Sequence, residues 1–197
     1  MKKKLILLIL IMINLISCRE RVIKIDEIEE RIEITKILEG GIERILYKKG
    51  ENKPFTGKIV KDFENDGVSF EINVKNGKLY GNRTTYYRGG QIQSESIYEN
   101  GIPINEAKYY YEDGQPQVFI DYKNKIKKTY YRDGALYVEV RFLDNDEWKY
   151  EGEAKLYYQT GEILGIEQFK KGVLNGRVFT IIKMEKFSEN VFIKMGL

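Results

Sequence analysis

The chain has no histidine, one cysteine, one tryptophan and three prolines among its 197 residues. Without histidine, the commonest general base and the commonest metal ligand are both missing, and a serine nucleophile has no imidazole to activate it. A single cysteine excludes an intrachain disulfide framework. Neither a Ser-x-x-Lys stretch nor a glycine-rich phosphate loop ahead of a helical pattern occurs. Asp144-Asn145-Asp146 opens like a calcium loop, but Lys149 stands where such a loop needs glycine and Trp148 replaces an oxygen ligand. The expectation is therefore a protein with no catalytic residues, no metal and no cofactor.

An excess of one charge is lacking too. The 33 lysines and arginines face 30 aspartates and glutamates. Three of the basic residues, Lys2, Lys3 and Lys4, precede Cys18, and no acidic residue does. Cleavage before Cys18 leaves a formal charge of zero. Binding a polyphosphate needs a net excess of cationic side chains, so nucleic acid is not the expected partner.

The one long apolar run, Leu5 to Ile16, is twelve residues interrupted by Asn14. A bilayer span needs about 20 apolar residues, so the run suits a secretory signal better than a transmembrane helix. It ends in Leu15-Ile16-Ser17-Cys18, which resembles the lipobox of bacterial lipoproteins. That resemblance implies lipid attachment at Cys18. It also implies a mature protein anchored to the cell membrane or the outer membrane, facing away from the cytoplasm. Residues 18–41, charged and rich in isoleucine without a clean period, read as a tether and lead-in.

What the chain has in abundance is tyrosine, 15 copies, set in a repeat. Tyr86-Tyr87, Tyr110-Tyr111, Tyr130-Tyr131 and Tyr157-Tyr158 are each followed, three residues on, by Gly90, Gly114, Gly134 and Gly161. An aromatic follows eight residues after each glycine: Tyr98, Tyr122, Phe142 and Phe169. A degenerate earlier copy has Phe63, Gly67 and Val74, the last standing for the eighth-position residue one place early, and a last half-copy ends at Ile181-Ile182. From the eighth-position residue to the next tyrosine pair the step is 12 after Val74 and Tyr98, 8 after Tyr122 and 15 after Phe142. One turn is thus fixed in length and the other is elastic.

The segments after the fixed turns alternate with period two, as in Leu136, Val138, Val140 and Phe142, so they read as strands. Gly89-Gly90, Asp113-Gly114 and Asp133-Gly134 fit a two-residue type I′ hairpin, in which both central residues take positive φ. That loop pairs Arg88 with Gln91 and Tyr87 with Ile92. It places Tyr87, Tyr111, Tyr131 and Tyr158 on one face with Tyr98, Tyr122, Phe142 and Phe169, the candidate binding face. Gly90, Gly114, Gly134 and Gly161 are the structural turns.

This unit resembles the bacterial variant of the MORN repeat, a Tyr-Tyr-x-Asp/Asn-Gly hairpin followed by Tyr-x-Asn-Gly. The second element stands here as Tyr98-Glu99-Asn100-Gly101, Val74-Lys75-Asn76-Gly77 and Phe169-Lys170-Lys171-Gly172. Tyr47-Lys48-Lys49-Gly50 through Pro54-Phe55-Thr56-Gly57 looks like an opening unit. Asn105 and Lys127 stand where Gly81, Gly152 and Gly176 mark the family position. The resemblance implies an all-β fold, an elongated single-layer antiparallel sheet of hairpin repeats. The expected organisation is a signal at 1–17, a tether at 18–41, a repeat array at 42–184 and a C-terminal extension at 185–197. It also points toward the group named YwqK-like antitoxins. A protein partner is the first expectation and a cell-wall glycan bound on the tyrosine rows the second.

Overall fold

In the computed structural model the described residues are 20–36, 41–63, 68–143, 146–175 and 179–180. Cys18, Gly67, Ile181, Ile182 and the extension from residue 185 lie outside them. The strands are β1 Val22–Lys24, β2 Ile28–Lys36, β3 Gly41–Lys48, β4 Gly57–Asp62, β5 Val68–Lys75, β6 Lys78–Tyr86, β7 Ile92–Glu99 and β8 Ile102–Tyr110. They continue as β9 Pro116–Asp121, β10 Ile126–Tyr130, β11 Leu136–Leu143, β12 Asp146–Tyr157, β13 Ile163–Lys170, β14 Val173–Leu174 and β15 Phe179–Thr180. A single 3₁₀ turn, Ile25–Glu27, interrupts them.

From β4 to β14 every strand pairs with the next in sequence, an antiparallel meander in one sheet. β1 pairs β4 in parallel at the first edge, and β15 pairs β13 beside β14. β2 and β3 form a separate hairpin. Residues 20–36, expected as a tether, therefore contain β1, the 3₁₀ turn and all of β2. A strand, a 3₁₀ turn and a second strand within 15 residues explain why the isoleucine spacing obeys no single period.

The four fixed turns are not type I′. The Gly90 N–H donates to the Tyr87 carbonyl at 2.9 Å, and the Tyr87 N–H donates to the Gln91 carbonyl at 2.8 Å. The same pair of bonds joins Tyr111 with Gly114 and Gln115, Tyr131 with Gly134 and Ala135, and Tyr158 with Gly161 and Glu162. In each turn only the glycine has positive φ, +84° at Gly90 and +88° at Gly134. This is a three-residue loop, a type I turn closed by a left-handed glycine. The Asp113 and Asp133 carboxylates accept from the N–H two residues on, which supports the turn locally. The type I′ turns lie along the opposite, elastic edge. Asn100 and Gly101 have φ of +52° and +82°, between the paired Glu99 and Ile102. Asn76-Gly77 and Lys171-Gly172 repeat that geometry.

The register survives the wrong turn because two irregularities offset each other. Tyr86 pairs with Ile92, one residue out of the expected step, but Thr85 pairs with Ser94 as a two-residue loop would have it. The extra Gln93 is a bulge that restores the register. Gln117, Tyr137 and Leu164 do the same in the later repeats.

One unbroken cross-strand row runs Ile59–Ile72–Arg83–Ser96–Ala107–Ile120–Lys127–Val140–Ala154–Glu167. Ile59, Ser96, Ala107, Ile120, Lys127, Val140 and Ala154 in it are buried. The opposite face carries a row of mixed charge: Glu71, Thr84, Glu95, Lys108, Phe119, Lys128, Glu139 and Lys155. Ion pairs such as Lys128–Glu139 at 3.0 Å keep that face wet, each contributing little. At the first edge a small core of Ile23, Phe55, Ile59 and Val74 closes the array.

The turn geometry makes unequal demands on neighbouring residues. Gly134→Val should lower stability by roughly 1–2 kcal/mol or more, since a β-branched residue resists positive φ. Asp133→Ala should cost less, about 0.5–1 kcal/mol, because the residue has ordinary φ and its carboxylate loses only the bond from the Ala135 N–H and an exposed one from the Gln159 amide. Urea unfolding of both variants checks this; equal and large losses would restore the type I′ turn.

Candidate functional site

The second tyrosines lock one repeat to the next. The Tyr87 hydroxyl donates to the Tyr110 carbonyl at 2.7 Å, Tyr111 to Tyr130 at 3.0 Å, and Tyr131 to Tyr157 at 2.8 Å. Each acceptor is the first tyrosine of the following pair, 19 to 26 residues on. For Tyr158 the equivalent carbonyl is that of Ile181, outside the described residues. At the elastic edge a second set of bonds runs backward. The turn N–H of Gly77, Gly101 and Gly172 donates to the carbonyl 22 residues earlier, of Phe55, Leu79 and Tyr150.

The eighth-position residues sit opposite the points where a neighbouring strand turns left-handed. Val74 pairs with Gly57, Tyr98 with Gly81 and Phe169 with Gly152. The Tyr122 N–H donates to the Asn105 carbonyl and the Phe142 N–H to that of Lys125. Gly81, Asn105, Lys125 and Gly152 all have positive φ. The residue equivalent to Gly81 in the short repeat is therefore Lys125, not Lys127. The four-residue loop after Asp121 omits a whole type I′ turn, yet Lys125, like Gly81, Asn105 and Gly152, stands five residues before the first tyrosine of the next pair.

Phe142 is buried, and Tyr122 meets it edge-on with ring centroids 6.0 Å apart. Tyr150 and Phe169 repeat that contact at 5.4 Å. Burial, then the Glu147 carboxylate, pushes the Tyr122 phenol well above its ordinary value. Burial, then Tyr98 and Glu147, does the same at Tyr109. So the tyrosine rows are half-buried side chains that pack against each other and give hydroxyls to the backbone.

What these rows leave open to solvent is a feature that the repeat pattern does not contain. Lys127 occupies the buried row between Ile120 and Val140, only 4 % exposed. Its ammonium lies 3.5 Å from the centroid of the Trp148 ring and 5.4 Å from that of Tyr150. It also donates to the Tyr150 hydroxyl at 3.3 Å. Burying a charge is costly unless it is compensated; the two rings and the hydroxyl supply that, each ring interaction being worth about 0.5–2 kcal/mol. Trp148 itself is 72 % exposed. The backbone beneath it is set by Asp146, whose carboxylate accepts from the Trp148 N–H at 3.1 Å and pairs with Lys149 at 3.0 Å. Those contacts hold the Asp146 carboxyl below the usual range, Lys149 first and the Trp148 N–H second. They use the acid that looked like a calcium ligand for local structure. Trp148 therefore presents an exposed indole next to the Lys127 ammonium, on the strand entered by the long step after Phe142. The available signal was a lysine at a core parity: Lys127 shares the alternation of Thr129 and Tyr131.

The raised phenols fix a direction for alkaline unfolding. Neutral Tyr109 and Tyr122 are favoured in the fold, so their contribution is complete below the ordinary tyrosine pKa of about 10 and is lost as pH rises through the higher folded values. The urea midpoint should fall above about pH 10, and less steeply in Tyr122→Phe. Identical pH slopes in the two proteins would contradict the burial of that phenol.

In comparison with known proteins, no curated protein matches the chain. The family model described as MORN repeat variant matches residues 79–100, 104–124 and 150–171. Each matched segment is one strand, one fixed turn and the returning strand: β6–β7, β8–β9 and β12–β13. The β10–β11 hairpin, outside the matched segments, has the same turn and the same tyrosine hydroxyl bonds. The chain carries MORN-variant repeats at three places in one hairpin sheet.

Proposed function

We propose that this protein is a membrane-anchored lipoprotein whose repeat array is a non-catalytic protein-interaction module, of the antitoxin- or immunity-like kind. The observation that carries this reading is Trp148, a large exposed aromatic whose ring lies 3.5 Å from the buried Lys127 ammonium. Interfaces draw most of their affinity from a few aromatic or arginine anchors. The position of Trp148 in the longest, least repetitive step of the array supports a role in specificity. The lipobox-like Leu15-Ile16-Ser17-Cys18 supports the anchor.

A second reading, a cell-wall glycan binder, draws on the same exposed indole, because aromatic faces also stack on sugar rings. The two separate in one pair of measurements. A photo-crosslinking residue at position 148, in the full chain in its own cell, should capture one discrete protein, and Trp148→Ala should weaken that purified complex at least about tenfold. The chain has one tryptophan, so its emission reports on this site alone. A shifted emission on adding purified wall polymer, without a protein adduct, would replace the first reading with the second.

A further inference from the structure

We infer that the capped first end of the array rests on the bilayer surface itself, through the exposed side chains of Val22 and Ile25. The inference builds on the lipid anchor at Cys18. The body of the protein begins almost at once after that residue. The Lys58 N–H donates to the Arg21 carbonyl at 2.7 Å, and β1 runs parallel to β4 from Val22. Arg21 pairs with Glu51 at 2.8 Å, Lys24 pairs with Asp62, and Ile23 is buried in the cap core. Only Arg19 and Glu20 separate the anchor from residues tied into the sheet.

Covalent geometry sets the reach. A chain extends at most about 3.6 Å per residue, so the Val22 Cα lies within about 14 Å of the Cys18 Cα. The polar layer on each side of the hydrocarbon core is itself about 5–8 Å thick, so β1 cannot stand far clear of it. On this segment Val22 is 55 % exposed and Ile25 is 37 % exposed, although both are apolar. Two such side chains would not recruit a free protein to a membrane. Once the anchor holds them there, the contact is intramolecular and a weak interaction suffices. The bilayer is the occupant because the anchor guarantees its presence within reach.

Holding this end down also orients the rest. Strands stack about 4.8 Å apart, so β12 with Trp148, eight strands beyond β4, stands up to about 38 Å along the array from the contact. The proposed binding site is then carried away from the lipid surface that holds the protein.

The test uses the full acylated chain in vesicles that contain nitroxide-labelled lipid. With Cys18 acylated, a cysteine introduced as Ile25→Cys is the only free thiol, and it takes an environment-sensitive dye. Tyr137→Cys, an exposed position on β11, is the control. The dye at 25 should be quenched by shallow nitroxide lipid at least about threefold more than the dye at 137, with unchanged thermal unfolding. A protein that is acylated and membrane-bound but equally quenched at both positions overturns the contact and leaves the anchor standing. A dye at 25 shielded from both lipid and aqueous quenchers assigns that surface to a protein partner and overturns the inference. A chain that carries no acyl group removes the anchor, and the contact with it; acyl labelling distinguishes that outcome.

Discussion

The hydroxyl-to-carbonyl bond between successive tyrosine pairs is the contact on which this fold depends. Beyond the first end, where Ile28 and Leu46 of the β2–β3 hairpin pack on it, the sheet has no second layer among the described residues, so each hairpin must find its stabilisation in its neighbours. Tyr87, Tyr111 and Tyr131 reach over the intervening strand to the next repeat along the fixed-turn edge. The Gly77, Gly101 and Gly172 N–H groups reach back along the other. Each such bond is worth only about 0.5–1.5 kcal/mol net. They recur, however, along the array, and each ties one hairpin to the next.

The same dependence explains the form of the first end and the elastic edge. At the first end β1, Phe55 and Ile23 close the sheet with a core of their own, where no earlier repeat is available. Length changes fall on the type I′ edge, because the fixed edge carries the tyrosine that must meet the next carbonyl. The short step after Tyr122 removes one turn and leaves Lys125 as the left-handed residue. The long step after Phe142 adds the residues that bring Trp148 over Lys127. The array therefore varies where variation does not break the repeat-to-repeat bonds, and its most individual side chain lies at that variation.

Much of this was legible in the residues. The tyrosine–glycine spacing and the period-two runs after Gly114 and Gly134 define the hairpins and their faces. The turn type was not, because Asp-Gly suits a type I′ pair and also a type I turn closed by a left-handed glycine. What separates the two is the bulge at Gln117 or Tyr137, which no residue type marks and which leaves the later register unchanged. Residues 20–36 hid their strands because β1, a 3₁₀ turn and β2 follow within a few residues. Trp148 and Lys127, 21 positions apart, meet only through the exact lengths of two elastic loops, which no local pattern encodes.

The most direct measurement is the urea midpoint of Tyr111→Phe beside that of Tyr130→Phe. Tyr111→Phe keeps the ring and removes only the hydroxyl that bonds the next repeat, whereas Tyr130 belongs to the first-tyrosine row on the opposite face. Tyr111→Phe should lose about 1 kcal/mol, since a part-buried carbonyl is left without its donor, and Tyr130→Phe should lose clearly less. Equal midpoints for Tyr111→Phe and the unaltered protein would show that the repeats do not depend on this bond.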